Sequence, residues 1–332
     1  MPRTALRAVL AGTGSCLPPR AFHNDQFPPS LETSDEWIHS RTGIRERRVA
    51  ADGETTSTLG LEAARRAVQA AGLTPDAIDL IVCATVTADV LVPSVAARIQ
   101  AGLGCRTIPS FDLNAACTGF LYAVTVAEQF LRAGTARHAL VVGVDTLTRV
   151  TDFADRNSCI LFGDGAGAVV LSAEEGGRRG LRFNRLYADG SDMILLKGVG
   201  SRPAPEIITP PPATCENTFL RLNGREVFKF AVTRVRQLFE EVLRACELQL
   251  TDIDLIIPHQ VNQRILDTAF EGLGVPPERV MVNLDRYGNT SAASVPIALD
   301  DAVSTGRAKA GDTVLLMAFG GGMTWGGTLL TL

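Results

Sequence analysis

The chain has 332 residues, of which 46% are hydrophobic and 20% are charged. This length and apolar content allow a large buried core and argue against intrinsic disorder. The net charge of -4 gives no bulk attraction to nucleic acid, and no apolar run approaches the roughly 20 residues of a membrane span. The first residues run into Gly12-Thr13-Gly14 without the apolar core of a signal peptide.

Helices and strands alternate through the first half of the sequence. An amphipathic helix over about 60–72 precedes a buried strand at 78–83. A short strand at 111–114 leads into a helix over 117–133, and a further strand is predicted at 140–143. This order is typical of an α/β protein with mostly parallel sheets.

The second half of the sequence repeats this order. A helix at 226–248 precedes a strand at 253–258, the segment 283–285 leads into a helical stretch at 291–304, and 314–317 predicts a strand. Four matched elements in the same order favour a true duplication over the chance similarity of any two α/β segments.

We place the first half at 1–175 and the second half at 176–332. The proline-rich stretch 201–214 predicts a surface loop near their junction. A glycine-rich motif at 162–171 resembles a dinucleotide-binding loop, but a strand pattern follows it where that loop requires a helix. We therefore predict a tight turn packed near the active site.

Seven cysteines are scattered singly along the chain, and none forms a C-x-x-C pair. An odd number of isolated cysteines argues against a disulfide framework or a structural zinc site, and it is typical of a reducing cytoplasm. We therefore expect a cytoplasmic location and no metal site. The seven are Cys16, Cys83, Cys105, Cys117, Cys159, Cys215 and Cys246.

Cys117 lies where a predicted strand ends and a helix begins. Small neighbouring residues leave room for a group to approach its sulfur, and a helix N-terminus can lower a thiol pKa from about 8.5 to roughly 3.5–7.5. A lone cysteine in an apolar segment is more often an inert core residue, the role we assign to Cys83, Cys105 and Cys246. The predicted helix start, together with the two partner residues described next, favours a reactive thiol at Cys117.

The second half supplies two partners for Cys117. His259 directly follows a predicted strand, at the carboxyl end where open α/β sheets place ligands. The small-residue turn around Asn289 is equivalent, by the repeat, to the turn that holds Cys117. Pseudo-twofold symmetry therefore predicts that Cys117 and Asn289 face each other with His259 beside them.

A Cys/His/Asn set suits chemistry through an acyl-thioester, and it also suits a papain-like cysteine hydrolase. The glycine run 320–322 follows a predicted strand, and its backbone N–H groups could form an oxyanion hole. The same run could be a tight hairpin that needs positive φ angles, and both roles are compatible. The residues alone leave the hydrolase open.

Six motifs spread over nearly the whole chain carry a family resemblance. They are SDEWI at 34–38, RTGIRER at 41–47, AAC at 115–117, PHQ at 258–260, GNTSA at 288–292 and FGGG at 319–322. Together they resemble the thiolase-fold condensing enzymes, and specifically the 3-oxoacyl-(acyl-carrier-protein) synthase III family. The resemblance implies a thiolase-like fold of two duplicated βαβαβαββ halves in five layers, αβαβα, and a homodimer.

The resemblance also implies a reaction, the initiating decarboxylative Claisen condensation of type II fatty-acid synthesis. Cys117 takes an acyl group from acyl-coenzyme A, malonyl carrier protein loses carbon dioxide, and the enolate attacks the acyl-cysteine. His259 and Asn289 would donate hydrogen bonds to the malonyl thioester carbonyl, and the backbone N–H groups of Cys117 and Gly321 would hold the oxyanion. The implied partners are acyl-coenzyme A, as a substrate, and acyl carrier protein, with no permanently bound cofactor, nucleic acid or membrane.

Three further sets of residues follow from the same resemblance. The residues implied to bind coenzyme A are Trp37, Arg41, Arg156 and Asn262. Those implied to line the acyl pocket are Val92, Leu147, Phe162 and Phe319. Those implied to dock the acidic carrier protein are Arg225, Lys229 and Arg264. Trp37 and Arg156 would sandwich the adenine, and Arg236 is predicted to share the basic helix face.

Some positions depart from the family pattern. The segment 269–272 lacks a lysine pair that some members carry, and Val261 stands where alanine is common. Val92 stands where some members place phenylalanine, in a segment that reaches the partner subunit's acyl pocket, so a longer or branched primer could fit. The alternative function is a synthase III-like acyltransferase or ketide-forming enzyme of secondary metabolism.

Overall fold

The structure is a computed structural model, and it describes residues 6–190, 196–197 and 219–332. The predicted loop at 201–214 and Cys215 lie outside the described residues. Among the described residues, no helix is both long enough and apolar enough to cross a membrane.

The strands and helices alternate as predicted. Those of the first half are β1 (Leu6–Cys16), β2 (Ala21–His23), α1 (Asp35–Thr42), β3 (Glu46–Arg48), α2 (Thr56–Ala70), β4 (Leu80–Ala84), α3 (Val95–Leu103), β5 (Ser110–Leu113), α4 (Gly119–Arg132), β6 (His138–Thr146), α5 (Arg156–Cys159) and β7 (Asp164–Glu175). Those of the second half are β8 (Gly180–Ala188), β9 (Leu196–Lys197), β10 (Arg221–Leu222), α6 (Gly224–Cys246), β11 (Leu255–Pro258), α7 (Gln263–Glu271), α8 (Leu284–Tyr287), α9 (Ser294–Ser304), β12 (Thr313–Gly320) and β13 (Thr324–Thr331).

Two mixed sheets have equivalent strand orders. The first runs β1-β7-β6-β4-β5, and the second runs β8-β13-β12-β11. In both, one equivalent strand pair is parallel (β4 with β6, β11 with β12), and the next pair along the chain is antiparallel (β6 with β7, β12 with β13). The counterpart of β5 in the second sheet is reduced to an isolated bridge between Ile256 and Val280.

Helices cover both faces of each sheet, and this explains the nearly continuous apolar runs of the central strands. Every residue of β4 and of β11 is buried. One apolar cluster joins α4 and α9 to both sheets, a second joins α2 and α3 to the first sheet, and a third joins α6 and α7 to the second. The result is the predicted five-layer αβαβα arrangement.

The duplication extends to single residues that are 175 positions apart. Leu80 pairs with Ala139 in the first sheet, as Leu255 pairs with Val314 in the second. By the same spacing, Ala292 is the counterpart of Cys117.

The two central helices begin later than predicted, and for the same reason. A short 3-10 turn precedes each one, at Ala116–Thr118 and at Ser291–Ala293. The first residue of each turn has a left-handed backbone, with φ of 47° at Ala116 and 52° at Ser291. A side chain with a Cβ atom adopts this conformation at some energetic cost, so both turns bend the chain sharply before the helix starts.

The two halves interlock through the central layer. The helix α9, from the second half, packs on β1 and β7 of the first sheet. The Thr13 and Ser15 hydroxyls donate to the two carboxylate oxygens of Asp300 at 2.7 and 2.6 Å. A Cβ on Gly167 would lie 2.7 Å from the Ile297 nitrogen, so the approach requires glycine. The division at residue 175, between β7 and β8, stays a prediction.

Candidate active site

A cavity of about 590 Å³ lies where the two central helices begin. Eight of the predicted residues line it: Cys117, Leu147, Phe162, His259, Asn262, Asn289, Phe319 and Gly321. Val92 lies elsewhere, with 85% of its surface exposed. The sequence therefore identified residues that meet in space, although their roles stay predictions.

The turn that holds Cys117 and the turn that holds Asn289 share one local geometry. The side-chain oxygen of Asn114 accepts from the Ala116 N–H at 3.2 Å, and that of Asn289 accepts from the Ser291 N–H at 2.8 Å. These two asparagines occupy equivalent positions in the repeat. Because its Oδ1 is held by the backbone, Asn289 has its Nδ2 group available to donate to a ligand in the cavity.

His259 follows β11, and burial fixes its protonation state. Its Nδ1 lies 2.6 Å from the Ser294 hydroxyl, and that oxygen also accepts from the Gln260 N–H at 3.4 Å. The edge of the ring meets Phe319, with centroids 5.5 Å apart. Burial lowers the pKa of His259 to about 3, so the imidazole is neutral near pH 7.

This buried histidine is expected to make stability depend on pH. In the unfolded chain His259 binds a proton below about pH 6.5, whereas the folded chain resists protonation down to about pH 3. The unfolded state therefore gains protons first, and stability falls as the pH decreases through this window. Between pH 7.5 and pH 5, the free energy of unfolding should fall by about 2 kcal/mol more in the wild type than in His259→Gln.

Denaturant unfolding of both proteins at the two pH values measures this difference. Other titrating groups, including the buried Asp145 and Asp164, are present in both proteins and cancel in the comparison. Equal pH dependence in the two proteins would contradict the assigned burial of the neutral ring.

Burial also dominates the thiol of Cys117, and here the sequence-based expectation of a low pKa is wrong. Loss of hydration raises the pKa of Cys117 to about 11. A hydrogen bond from the Ser291 side chain and the backbone N–H groups of Gly321 and Cys117 itself oppose this rise. The residue is partly open to the cavity, but the sulfur is poorly hydrated. The resting thiol is therefore protonated and must lose its proton when it reacts.

The residues predicted to bind coenzyme A lie together beside this cavity. The guanidinium groups of Arg41 and Arg156 lie over the Trp37 ring, at 4.5 and 4.9 Å from its centre. Asn262 caps α7 and donates from Nδ2 to the Arg41 carbonyl at 3.1 Å. An aromatic base between Trp37 and Arg156 needs about 7 Å, twice a contact distance of about 3.5 Å. The predicted sandwich thus requires Arg156 to move from the Glu32 carbonyl, to which it donates at 2.9 Å.

The predicted carrier-protein residues surround a second cavity of about 600 Å³ next to the first. Arg225, Lys229 and Arg264 are exposed there, and Arg41 joins them. Arg236 does not belong to this set, because its guanidinium donates to the Thr268 and Ala269 carbonyls at 2.6 and 3.4 Å. The sequence predicted its position on α6 but could not show that these carbonyls are within reach.

The glycine-rich motif at 162–171 forms no nucleotide loop. It continues directly into β7, and its Gly163 N–H donates to the Asn289 carbonyl at 3.0 Å. A Cβ on Gly163 would lie 2.3 Å from the Tyr287 carbonyl oxygen. The motif therefore supports the Asn289 turn from behind, near the candidate active site as predicted.

Three polar residues near the site were not singled out from the sequence: Ser294, Ser291 and Asp145. Ser291 is only 2% exposed, and Asp145 is fully buried. The signal for Asp145 was an acid at the end of an apolar strand, and the signal for Ser291 was its place in the GNTSA motif.

In the part of the chain that the structure describes, no group of three His, Cys, Asp or Glu residues could hold a metal ion.

Comparison with known proteins gives one consistent family. Residues 111–190 match the family model described as 3-oxoacyl-[acyl-carrier-protein (ACP)] synthase III, and residues 243–332 match the model of its C terminal part. The beta-ketoacyl-[acyl-carrier-protein] synthase III of Rhizorhabdus wittichii is 51% identical over 321 residues, which cover 96% of this chain and 98% of that relative.

Two solved structures superpose on this chain with TM-scores of 0.90. The 3-oxoacyl-[acyl-carrier-protein] synthase III of Aquifex aeolicus is 41% identical and covers 98% of this chain and 100% of its own. The priming beta-ketosynthase of the R1128 polyketide pathway is 36% identical and covers 99% and 97%. These similarities confirm the predicted thiolase-like fold.

Proposed function

The chain belongs to the 3-oxoacyl-[acyl-carrier-protein] synthase III family of condensing enzymes that initiate fatty-acid synthesis, and on that premise we propose how its residues divide the reaction. Cys117 accepts the acyl group from acyl-coenzyme A, and His259 and Asn289 activate malonyl carrier protein. The observation that carries this proposal is that all three side chains line one cavity, next to Gly321.

The acylation half uses the first central turn. The Cys117 sulfur attacks the acyl thioester, and the carbonyl oxygen of the tetrahedral intermediate carries the negative charge. Cys117 and Gly321 line one cavity, and the backbone N–H groups of both residues act to lower the pKa of the thiol. We assign these two N–H groups to the oxyanion on the carbon that the sulfur holds.

The condensation half uses the second turn. The Gln260 N–H donates to the Ser294 hydroxyl, which leaves the hydroxyl hydrogen to donate to the Nδ1 atom of His259. This arrangement assigns the ring proton to Nε2. Nε2–H of His259 and Nδ2–H of Asn289 then stabilise the enolate that forms when malonyl carrier protein loses carbon dioxide. The enolate carbon attacks the acyl-cysteine, and Cys117 is released.

The protonation state of His259 favours this function over a papain-like hydrolase. A hydrolase of that type needs a histidine that removes the proton of the thiol. A ring with a pKa of about 3, already bound through Nδ1 by Ser294, is a poor base near neutral pH. The same neutral ring is a permanent hydrogen-bond donor, which suits an enolate.

Incubation of the protein with acyl-coenzyme A and then with malonyl carrier protein tests the proposal. We expect a mass increase of one acyl group on Cys117, followed by its discharge as a 3-oxoacyl carrier protein. The absence of an adduct would refute the assignment of Cys117. Release of free acid alone would indicate a hydrolase, and transfer to a hydroxyl or amine would indicate the acyltransferase of secondary metabolism.

The Trp37 cluster is proposed to hold the adenine end of coenzyme A. Trp37→Ala should raise the KM for acyl-coenzyme A about tenfold, because stacking of one base on an aromatic ring contributes about 1–3 kcal/mol. The acyl-pantetheine thioester lacks the adenine and serves as the control. Its kinetic constants should be unchanged within about threefold, and an equal loss with both substrates would contradict the proposed contact.

The exposed basic residues Arg225, Lys229 and Arg264 are proposed to dock the acidic carrier protein, since their positive charges surround a cavity next to the active site.

A cytoplasmic location is proposed because the cysteines of the described residues are unpaired.

We also propose a homodimer. The neighbouring Leu91 and Val92 are 97% and 85% exposed, an apolar surface that a second copy would cover. Val92 would then reach the partner's acyl pocket, and the mass of the particle in solution tests this arrangement.

A further inference from the structure

A buried carboxylate, Asp145, connects two segments of the active site and has no part in the chemistry assigned so far. It lies near the end of β6 and is fully buried. Its Oδ1 accepts from the Thr85 hydroxyl at 3.0 Å, the Val86 N–H at 2.8 Å and the Thr87 hydroxyl at 2.9 Å. Its Oδ2 accepts from the Ala292 N–H at 3.3 Å. One carboxylate therefore contacts both the segment that follows β4 and the turn that precedes α9.

The neighbouring backbone fixes the direction of these hydrogen bonds. The Thr85 hydroxyl accepts from the Thr87 N–H at 3.1 Å, and the Thr87 hydroxyl accepts from the Thr146 N–H at 2.9 Å. Each hydroxyl therefore has its own hydrogen left to donate to Asp145. Three donors meet one oxygen of the carboxylate and one donor meets the other, so both oxygens act as acceptors, and these bonds offset the cost of burying the group.

The second oxygen, Oδ2, holds the turn of Asn289. Ala292 lies in the 3-10 turn that follows Asn289, and the N–H of the preceding Ser291 donates to the Asn289 side chain at 2.8 Å. This turn lies directly against β6, because a Cβ atom on Gly143 would be only 2.3 Å from the Ala292 carbonyl oxygen. Asp145 thus fixes the turn of the proposed enolate donor to the end of β6.

The first oxygen, Oδ1, holds one wall of the cavity. Val86 lines the same cavity as Cys117, and its backbone N–H is one of the three donors to Asp145. The same segment continues to the exposed Leu91 and Val92, which we propose to meet a second copy of the chain. The space that this wall leaves for an acyl group therefore depends on the carboxylate.

We propose that Asp145 is a positioning residue shared by the two steps of the reaction. Through Oδ1 it holds the wall at Val86, which limits the acyl group that Cys117 can accept. Through Oδ2 it holds the turn of Asn289, which donates to the enolate during condensation. Asp145 is fully buried and acts through these two segments. The inference rests on the proposed function.

The decisive variant is Asp145→Asn, which changes only the Oδ2 side of the link. Because three donors meet Oδ1, the amide keeps its oxygen there and turns its NH2 group towards the Ala292 N–H. Two donors then face each other, and the turn must shift. A displacement of about 1 Å at a catalytic group can cost about a hundredfold in rate. We expect condensation by the acylated enzyme to slow at least about tenfold, while acylation stays within about threefold of the wild-type rate.

A second variant, Thr87→Val, changes the Oδ1 side. The side chain keeps nearly the same shape but loses one donor to Asp145 and the acceptor of the Thr146 N–H. The wall should loosen, while the bond to Ala292 remains. One methylene group in an apolar pocket changes discrimination by about tenfold or more, so the ratio of acylation rates with hexanoyl-coenzyme A and acetyl-coenzyme A should rise about tenfold. Condensation by the acetylated variant should stay within about threefold of the wild-type rate.

The matched control is Asp79→Asn. This carboxylate joins the starts of β4 and β6, at the opposite end of β6 from Asp145, where its Oδ2 accepts from the Arg137 and His138 N–H groups at 2.7 and 3.0 Å. Rapid quench and mass spectrometry follow acylation by each acyl-coenzyme A, and then the reaction of the acylated enzyme with malonyl carrier protein. The control should match the wild type in both steps and in the ratio of the two acyl groups.

Two results for Asp145→Asn would overturn the proposal: condensation within about threefold of the wild-type rate, or equal losses in both steps, which a purely structural role would cause. Thermal unfolding shows whether this variant folds. If it does not fold, Thr87→Val decides alone, and an unchanged ratio of the two acyl groups overturns the proposal. A wild-type protein that forms no acyl adduct on Cys117 would instead refute the proposed function.

Discussion

Cys117→Ala is expected to abolish condensation, with a loss of at least about a thousandfold in kcat/KM, because the acyl group has no other attachment point. The variant should still decarboxylate malonyl carrier protein. The proposed donors, His259 and Asn289, belong to the second half of the duplication and do not depend on the sulfur. The expected products are carbon dioxide and acetyl carrier protein, since solvent protonates the enolate when no acyl-cysteine is present.

The measurement combines carbon dioxide release with mass analysis of the carrier protein. Cys83→Ala is the control, because that thiol is fully buried in β4 and the raised pKa from its burial keeps it inert. Condensation that survives in Cys117→Ala, or decarboxylation that disappears with it, would contradict the separation of the two half-reactions.

The second large effect is expected for Asn289→Asp. The substitution keeps the shape of the side chain and the oxygen that accepts from the Ser291 N–H. It replaces the Nδ2 donor with a second oxygen and adds a negative charge where the enolate forms. Loss of one such donor costs about 10²–10³ in rate, and the charge repulsion adds to it. Condensation of the acylated enzyme should therefore fall at least about a thousandfold.

The duplication supplies a matched control, Asn114→Asp. Asn114 has the same local geometry at the equivalent position and lines the same cavity, but it is exposed. Its replacement should change condensation by no more than about threefold. Equal losses in the two variants would mean that charge in the cavity, rather than the donor at residue 289, limits the reaction.

The fold was predictable because its internal repeat is visible in the sequence. Two buried strands with nearly identical letters, 78–83 and 253–258, fixed the repeat, and the repeat brought the Cys117 turn opposite the Asn289 turn. Element boundaries were less predictable. The helix α2 begins at Thr56, four residues before the predicted start, because Thr55 caps it with a bond from the Thr58 N–H at 3.3 Å. A cap of this kind adds polar residues in front of the apolar pattern.

The electrostatics of the site could not be predicted from the sequence. The position of Cys117 at a helix start suggested a lowered pKa. Burial of the thiol decides instead whether its pKa rises or falls, and that burial depends on how both sheets pack around the turn. Asp145 shows the same limit. Its sequence neighbours mark it only as the end of a strand, whereas its partners Thr85 and Ala292 are 60 and 147 positions away along the chain.

The shared central layer has a consequence for how this protein could have evolved. The helices α4 and α9 both lie between the two sheets, and each contacts the sheet of the other half. A single ancestral copy would have exposed that apolar face to water, so two copies had to associate before any cavity existed between them. Once they were joined in one chain, each turn was free to change alone, and residue 117 is now cysteine whereas its counterpart, residue 292, is a small alanine. The two halves therefore share their backbone fold, and the reactive residue lies at a position where their sequences differ.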